Sequence, residues 1–190
     1  VNAPVRNHIN KNSNALVSFP VALGNIELFK VFEASVFHPD LAAKYPEIKS
    51  YVGYGINNPT LTVRFSLSPY NGLSAMITGG NTPIFIEPYT SDFKTYLVFS
   101  RSSDEVRTNT FECLTDGIPY KKGNNKDAND QTLRTFRLAI SATGEYTAYH
   151  GGTKSMALAA MNATMTRVNG VYETDFAITM VLIANTDDVI

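Results

Sequence analysis

The residues of this chain that could ligate a metal or attack a substrate are few and widely spaced. Its three histidines, His8, His38 and His150, are scattered, and none has a second donor at ligand spacing. Zinc ligation needs three or four converging donors, so each reads first as a surface or turn histidine. The HExxH pattern, which sets two histidines four apart on one helical face, is absent, as are GxSxG and the P-loop. The single cysteine, Cys113, has no histidine beside it in sequence to suggest a thiol nucleophile. As a thiolate it is a soft, anionic zinc ligand, and as a thiol it is a small hydrophobe at a strand end. Asp116 precedes Gly117, so its carboxylate could bind zinc, but Asp-Gly is first of all a turn dipeptide. Asp104-Glu105 reads as a solvated loop, and Asp187-Asp188 is too short a pair to make a metal site. Lys121-Lys122 would suit a trypsin-like protease or stand simply as solvated lysines.

The composition says what must carry these residues. At 190 residues, 44% hydrophobic and 17% charged, the chain is an ordinary folded protein of one domain or two small ones. A net charge of −1 gives no electrostatic case for nucleic acid or an anionic membrane. No apolar run approaches the ~18 residues of a membrane span. The N-terminus, Val1-Asn2-Ala3-Pro4, lacks the basic-then-apolar order of a signal peptide. From Ala15 to about Ser103 the chain reads as β-rich, with Gly24-Asn25 splitting two strand-like runs as a hairpin turn. A short helix is expected from His38 to Tyr45, stopped by Pro46. Thr60–Leu67 alternates, with Leu61, Val63, Phe65 and Leu67 on one face and Thr62, Arg64 and Ser66 on the other. Such alternation predicts an antiparallel sheet with one wet face. Residues 114–130 are rich in Gly, Asn, Asp and Lys, the composition of an exposed, proteolysis-prone linker.

The last part of the chain reads strand, long helix, strand. Leu133, Phe136, Leu138 and Ile140 make a short apolar strand that Gly144 interrupts. Thr153 can cap a helix on which Leu158, Met161, Met165, Val168 and Tyr172 form one stripe, with Asn162, Thr166 and Asn169 off it. Ala177–Ala184 is nearly continuous in apolar residues, as suits a strand covered on both faces, so a parallel βαβ unit is expected. Two parallel strands leave edges and a helix face uncovered. The unit is therefore expected to open a larger domain, with the Leu158–Tyr172 stripe docked on the preceding sheet or on another copy.

Within this unit, Arg167-Val168-Asn169-Gly170-Val171-Tyr172 and Ile178-Thr179-Met180-Val181-Leu182-Ile183 resemble the first helix and second strand of reprolysin-like zinc metallopeptidases, a branch of the metzincins. The run from Thr132 to Gly152 resembles the first strand and following turn of secreted bacterial members, and the run from Val31 to Gly55 resembles their propeptides. The resemblance implies an α+β chain in three parts. Residues 1–113 would be a β-rich antiparallel propeptide domain, 114–130 a linker with activation cleavage at Lys121 or Lys122, and 131–190 the first strand-helix-strand unit of the catalytic domain. Such enzymes carry zinc on HExxHxxGxxH, absent from this chain, so the resemblance implies a latent fragment with no catalytic residue of its own and no zinc bound by it alone. Cys113 would be the zinc-blocking propeptide ligand, although Leu114-Thr115 replaces the Gly-Val of the animal switch, with Asp116 as the weaker alternative. Arg137 stands where many animal members have a calcium-binding glutamate, which argues against that calcium site. The implied partners are protein or peptide substrates of the parent enzyme and the propeptide itself, in a secreted setting. The rival reading is a stand-alone secreted carbohydrate- or peptide-binding module, with Tyr51, Tyr54, Tyr70 and Tyr89 as stacking residues.

Overall fold

The structure, a computed structural model, describes residues 1–6, 12–22, 24–100 and 132–190. His8, Asp104, Glu105, Cys113, Asp116, Lys121 and Lys122 lie outside the described residues. Seven strands follow one another in sequence and in space: β1 (Leu16–Ala22), β2 (Asn25–Glu33), β3 (Lys49–Gly55), β4 (Thr62–Ser68), β5 (Gly72–Thr78), β6 (Ile84–Pro88) and β7 (Tyr96–Ser100). Every neighbouring pair is antiparallel. The first turn falls at Gly24, as expected, but Asn25 is already the first residue of β2, paired with Ala22. Between β2 and β3 lies the short helix α1 (Pro39–Lys44).

The alternation along β4 appears in the packing. Val63 and Phe65 face a core with Phe19, Phe29, Val31, Tyr51, Ala75, Ile77 and Ile86. Phe19 of the first strand meets Phe65 of the fourth at 5.2 Å between ring centroids. A flat sheet would hold those strands roughly 15 Å apart at normal strand spacing, so the sheet must curl. Gly53 permits the curl: a Cβ there would lie 2.8 Å from Val63 Cγ1 and 3.1 Å from Phe29 Cβ. Tyr51 stacks on Phe65 at 4.8 Å, and its hydroxyl donates to the Val1 carbonyl, tying the N-terminus to this core.

The other face of the sheet corrects the expectation of a wet surface. Arg64 and Ser66 are buried there, together with Ser50, Val52, Ser74 and Met76. Ser50, Ser66 and Ser74 stand directly opposite one another across three strands, as do Val52, Arg64 and Met76. The covering element is the long helix α3 (Lys154–Phe176), which lies across β3, β4 and β5. Thr153 caps it as expected, its Oγ1 accepting from the Met156 N–H. It meets the sheet with Asn162, Thr166, Asn169 and Gly170, all buried although off the apolar stripe. Small residues on both sides bring backbone close to backbone, which alternation alone does not reveal.

The stripe itself divides. Leu158, Met161 and Met165 join a second core with Val36, Phe37, Leu41 and Ile48, while Val168 is half-buried and Tyr172 is 40% exposed. The helix thus docks on the preceding sheet through its polar side, and its apolar stripe packs against the segment joining β2 to β3. Strands β8 (Arg134–Leu138) and β9 (Ile178–Leu182) pair in parallel, as the βαβ reading predicts. β9 is not covered on both faces, since only Leu182 within it is buried. Gly144 opens a short helix, α2 (Gly144–Tyr149), instead of merely ending a strand, because Thr143 caps it by accepting from the Tyr146 N–H.

Gly53 generates a prediction. Gly53→Ala should lower stability by about 1–3 kcal/mol, the cost of overpacking a filled core, measured by urea unfolding, whereas Gly80→Ala, whose Cβ would approach nothing nearer than 3.7 Å, should stay within about 1 kcal/mol.

Candidate functional site

The N-terminal segment, the end of β2, β4, α3 and β8–β9 converge on a cleft of about 260 Å³ holding Arg6, Glu33, Arg64, Asn169 and Glu173. Arg64 is carried into the interior by the inward register of β4 and is only 4% exposed. Its Nη2 donates to Glu173 Oε2, and Arg6 Nη1 donates to the same oxygen at 2.6 Å. Backbone bonds between Arg6 and Glu33, and between Glu33 and Pro4, hold the N-terminal segment in place. Burial works against the charge on Glu173, but the two guanidinium groups and a hydrogen bond from Thr179 outweigh it and hold the carboxyl below its ordinary range.

A second charged contact crosses the same helix–sheet boundary. Arg167 Nη2 donates to Ser74 Oγ and to Glu87 Oε1. Here burial prevails over Arg167 and Ser74, and the Glu87 carboxyl is pushed up. A third contact joins Lys44 of α1 to Asp187 at 3.0 Å, with the Tyr45 hydroxyl donating to the same carboxylate at 3.4 Å.

Asn169 does a different job. Its Nδ2 donates to the Met180 carbonyl at 2.8 Å and its Oδ1 accepts from the Met180 N–H at 2.9 Å. Two residues on, the Leu182 N–H donates to the Val36 carbonyl and the His38 N–H donates to the Leu182 carbonyl. Residues two apart in a strand present their hydrogen-bonding groups to the same side. The outer edge of β9 is therefore satisfied first by a side-chain amide and then by a strand-like piece of chain.

Among the described residues, those singled out from the sequence do not assemble into a metal site. His38 caps α1, its Nδ1 accepting from the Asp40 N–H at 3.3 Å. His150 ends α2, with its ring 4.4 Å from that of Tyr146 and 4.9 Å from that of Tyr149. Asp187 is engaged by Lys44, and Arg137 lies in exposed β8. Among the described residues no three His, Cys, Asp or Glu side chains group to hold a metal, so these residues do not fit zinc. The four tyrosines also fail to form one stacking platform. Tyr51 is in the core, Tyr54 lies on the opposite face of β3 edge-on to Phe32, Tyr70 bonds Glu47, and only Tyr89 is strongly exposed.

Chemically the cleft is a clamp. The carboxylate of Glu173, largely shielded from water, is engaged by two cations and is a poor base. Arg6, Arg64, Arg167, Glu87 and Glu173 were not singled out from the sequence, because their partners lie far apart in the chain. The available signal was helical spacing: Asn162, Thr166, Asn169 and Glu173 recur at intervals of three and four and define a face of their own.

With its curled antiparallel sheet and a separate strand-helix-strand element, the chain is of the α+β class, as expected. More particularly, residues 132–190 match the family model described as Metallo-peptidase family M12B Reprolysin-like. The matched span holds β8, α2, α3 and β9, with both runs that carry the resemblance, and supports a peptidase-related segment over this part of the chain. No curated protein and no solved structure gave a match.

Two predictions follow from the clamp and from the amide. Stability supplied by Glu173 is complete above the ordinary carboxyl value of about 4.3 and is lost as pH falls through the lowered value. Glu173→Gln should cost about 3–5 kcal/mol near neutral pH by leaving a buried guanidinium unpaired. That deficit should shrink as pH falls below about 4; urea unfolding across pH reads both, and a deficit independent of pH would assign the residue's role to packing. Glu87, shifted upward, contributes with the opposite sign, its share lost as pH rises through its raised value. Asn169→Asp should destabilise by about 1–3 kcal/mol, because a carboxylate cannot donate to the Met180 carbonyl, and amide exchange at Met180 should quicken.

Proposed function

We propose that this chain spans the junction of a secreted bacterial zinc metallopeptidase precursor, a β-rich propeptide followed by the opening of the catalytic domain. The observation that carries the reading is the family match over residues 132–190, which begins two residues before β8 and leaves the seven-stranded sheet outside it. In support, β8 has no second strand neighbour among the described residues, and its Phe136 is 51% exposed, so further strands of a catalytic sheet have an edge on which to add.

In this reading the sheet of residues 1–113 keeps the enzyme latent, and cleavage at Lys121 or Lys122 within 114–130 begins activation. The zinc, with its HExxHxxGxxH ligands, belongs to polypeptide outside these residues. Bound there, it would supply the activated water for peptide hydrolysis. Cys113 is the first candidate to block it, as a thiolate filling the open coordination position, and Asp116 is the second.

The test uses the natural coding frame with whatever follows Ile190. The expected protein carries HExxHxxGxxH, holds about one zinc per chain, and cleaves a casein substrate only after a cut in 114–130. Cys113→Ala should release activity before cleavage, and Asp116→Asn should leave latency intact. A frame without the histidine motif overturns the peptidase reading. Latency unchanged in Cys113→Ala but lost in Asp116→Asn moves the blocking role to the aspartate.

A further inference from the structure

We infer that the face of β3–β5, together with residues 35–45, is a docking surface that holds residues 132–190 without covalent help, so that a cut between residues 114 and 130 leaves the two pieces associated. This goes beyond the peptidase reading and does not depend on it.

Three independent kinds of contact lead there. The first is apolar. Among the described residues, the core of the curled sheet, from Phe19 to Ile86, is drawn from those before 101, whereas the second core is shared between the two parts. Leu158, Met161, Met165 and Leu182 enter it from one side, and Val36, Phe37, Leu41 and Ile48 from the other. Among the described residues, 132–190 have no buried cluster of their own. The second is backbone pairing. Val36 and His38 exchange hydrogen bonds with Leu182, a strand-like bridge of Phe37 on the edge of β9, and Asn162 Nδ2 donates to the Lys49 carbonyl at 3.2 Å. Pairing at a strand edge is a standard way for one polypeptide to hold another.

The third is charge, and it fixes orientation. The charges of α3 that pair with the sheet are Arg167 and, six residues on, Glu173. On the sheet the partners are Glu87 and Arg64. Reversing the helix on the sheet would set Arg167 toward Arg64 and Glu173 toward Glu87, like against like. Such a pattern rejects the wrong pose as well as favouring the right one. Gly170 completes the fit, since a Cβ there would lie 2.9 Å from Arg64 Cγ and 3.2 Å from Met76 Cε.

On the peptidase reading, activation would then have two steps, cutting the chain and freeing the held unit. The test places a specific protease recognition sequence between Lys122 and Gly123 of the full chain. After complete cleavage, shown on a denaturing gel, the sample runs on native size exclusion at micromolar concentration, neutral pH and moderate salt. The expected result is co-elution of both pieces at the volume of the uncut protein. Arg64→Glu and Gly170→Leu should weaken association roughly a hundredfold or more, giving separate peaks, with far-UV circular dichroism confirming that each uncut variant is folded. The double reversal of Arg64→Glu with Glu173→Arg should restore co-elution. Separation of the parent pieces overturns the inference without any variant, and so does co-elution of both cut variants as tightly as the parent. Neither result bears on zinc or peptidase activity, so this inference and the peptidase reading fail independently.

Discussion

The burial of one guanidinium organises the structure. Arg64 lies mid-strand in β4, flanked across the sheet by Val52 and Met76 and shut off from water. A charge in that position must be met by an opposite one. Nothing on the sheet's own face supplies it; the carboxylate comes from Glu173, 109 residues further along. From that requirement the rest follows. α3 must lie close enough to deliver Glu173, so Gly170 leaves room above Arg64, serines line the strands beneath, and Arg6 comes in to share the carboxylate.

A polar seam of this kind is a costly way to gain stability. An apolar pair of similar volume is often as stable as a buried ion pair or more so. Its value is in specifying position. The two cores show why position matters: the curled sheet carries its own, and the strand-helix-strand unit borrows from the segment around α1. An apolar stripe alone could slide along such a segment. Two salt bridges of opposed polarity and one tight glycine cannot, because each fixes the helix at a particular strand residue.

Local structure was legible in the sequence wherever one residue type had one job. The turn at Gly24, the alternation of Val63 and Phe65, the Thr153 cap and the parallel pairing of β8 with β9 were all readable from the chain. What was not legible was which polar residues are dry. Asn162, Thr166 and Asn169 lie off the apolar stripe, yet all three are buried, Asn162 against β3 and Asn169 against β9. Periodicity locates a helix face without naming its partner, and the partners of Arg64 and Arg167 lie 109 and 80 residues away. Gly144 misled for a related reason: glycine reads as a breaker, and the cap that opens α2 belongs to its neighbour Thr143. The residues weighed for zinc chemistry, Cys113 and Asp116, lie outside the described residues, and the residues that do cluster are ones that chemistry-bearing motifs pass over.

The two edges of the small parallel sheet complete the argument. On the β9 side, Asn169 closes the hydrogen bonds of Met180, and Val36 with His38 closes those of Leu182. Another strand could enter there only by displacing a side-chain amide and a buried segment together. On the β8 side, the strand is exposed and Phe136 faces water. Growth of the sheet is therefore directional: it can proceed outward from β8 while the β9 edge stays with the chain that precedes it. The same arrangement reconciles two features that otherwise pull apart. One edge of the strand-helix-strand unit is held fast by the β-rich part of the chain, and the other has no strand neighbour among the described residues, so a larger sheet can add there without any contact in the clamp being broken.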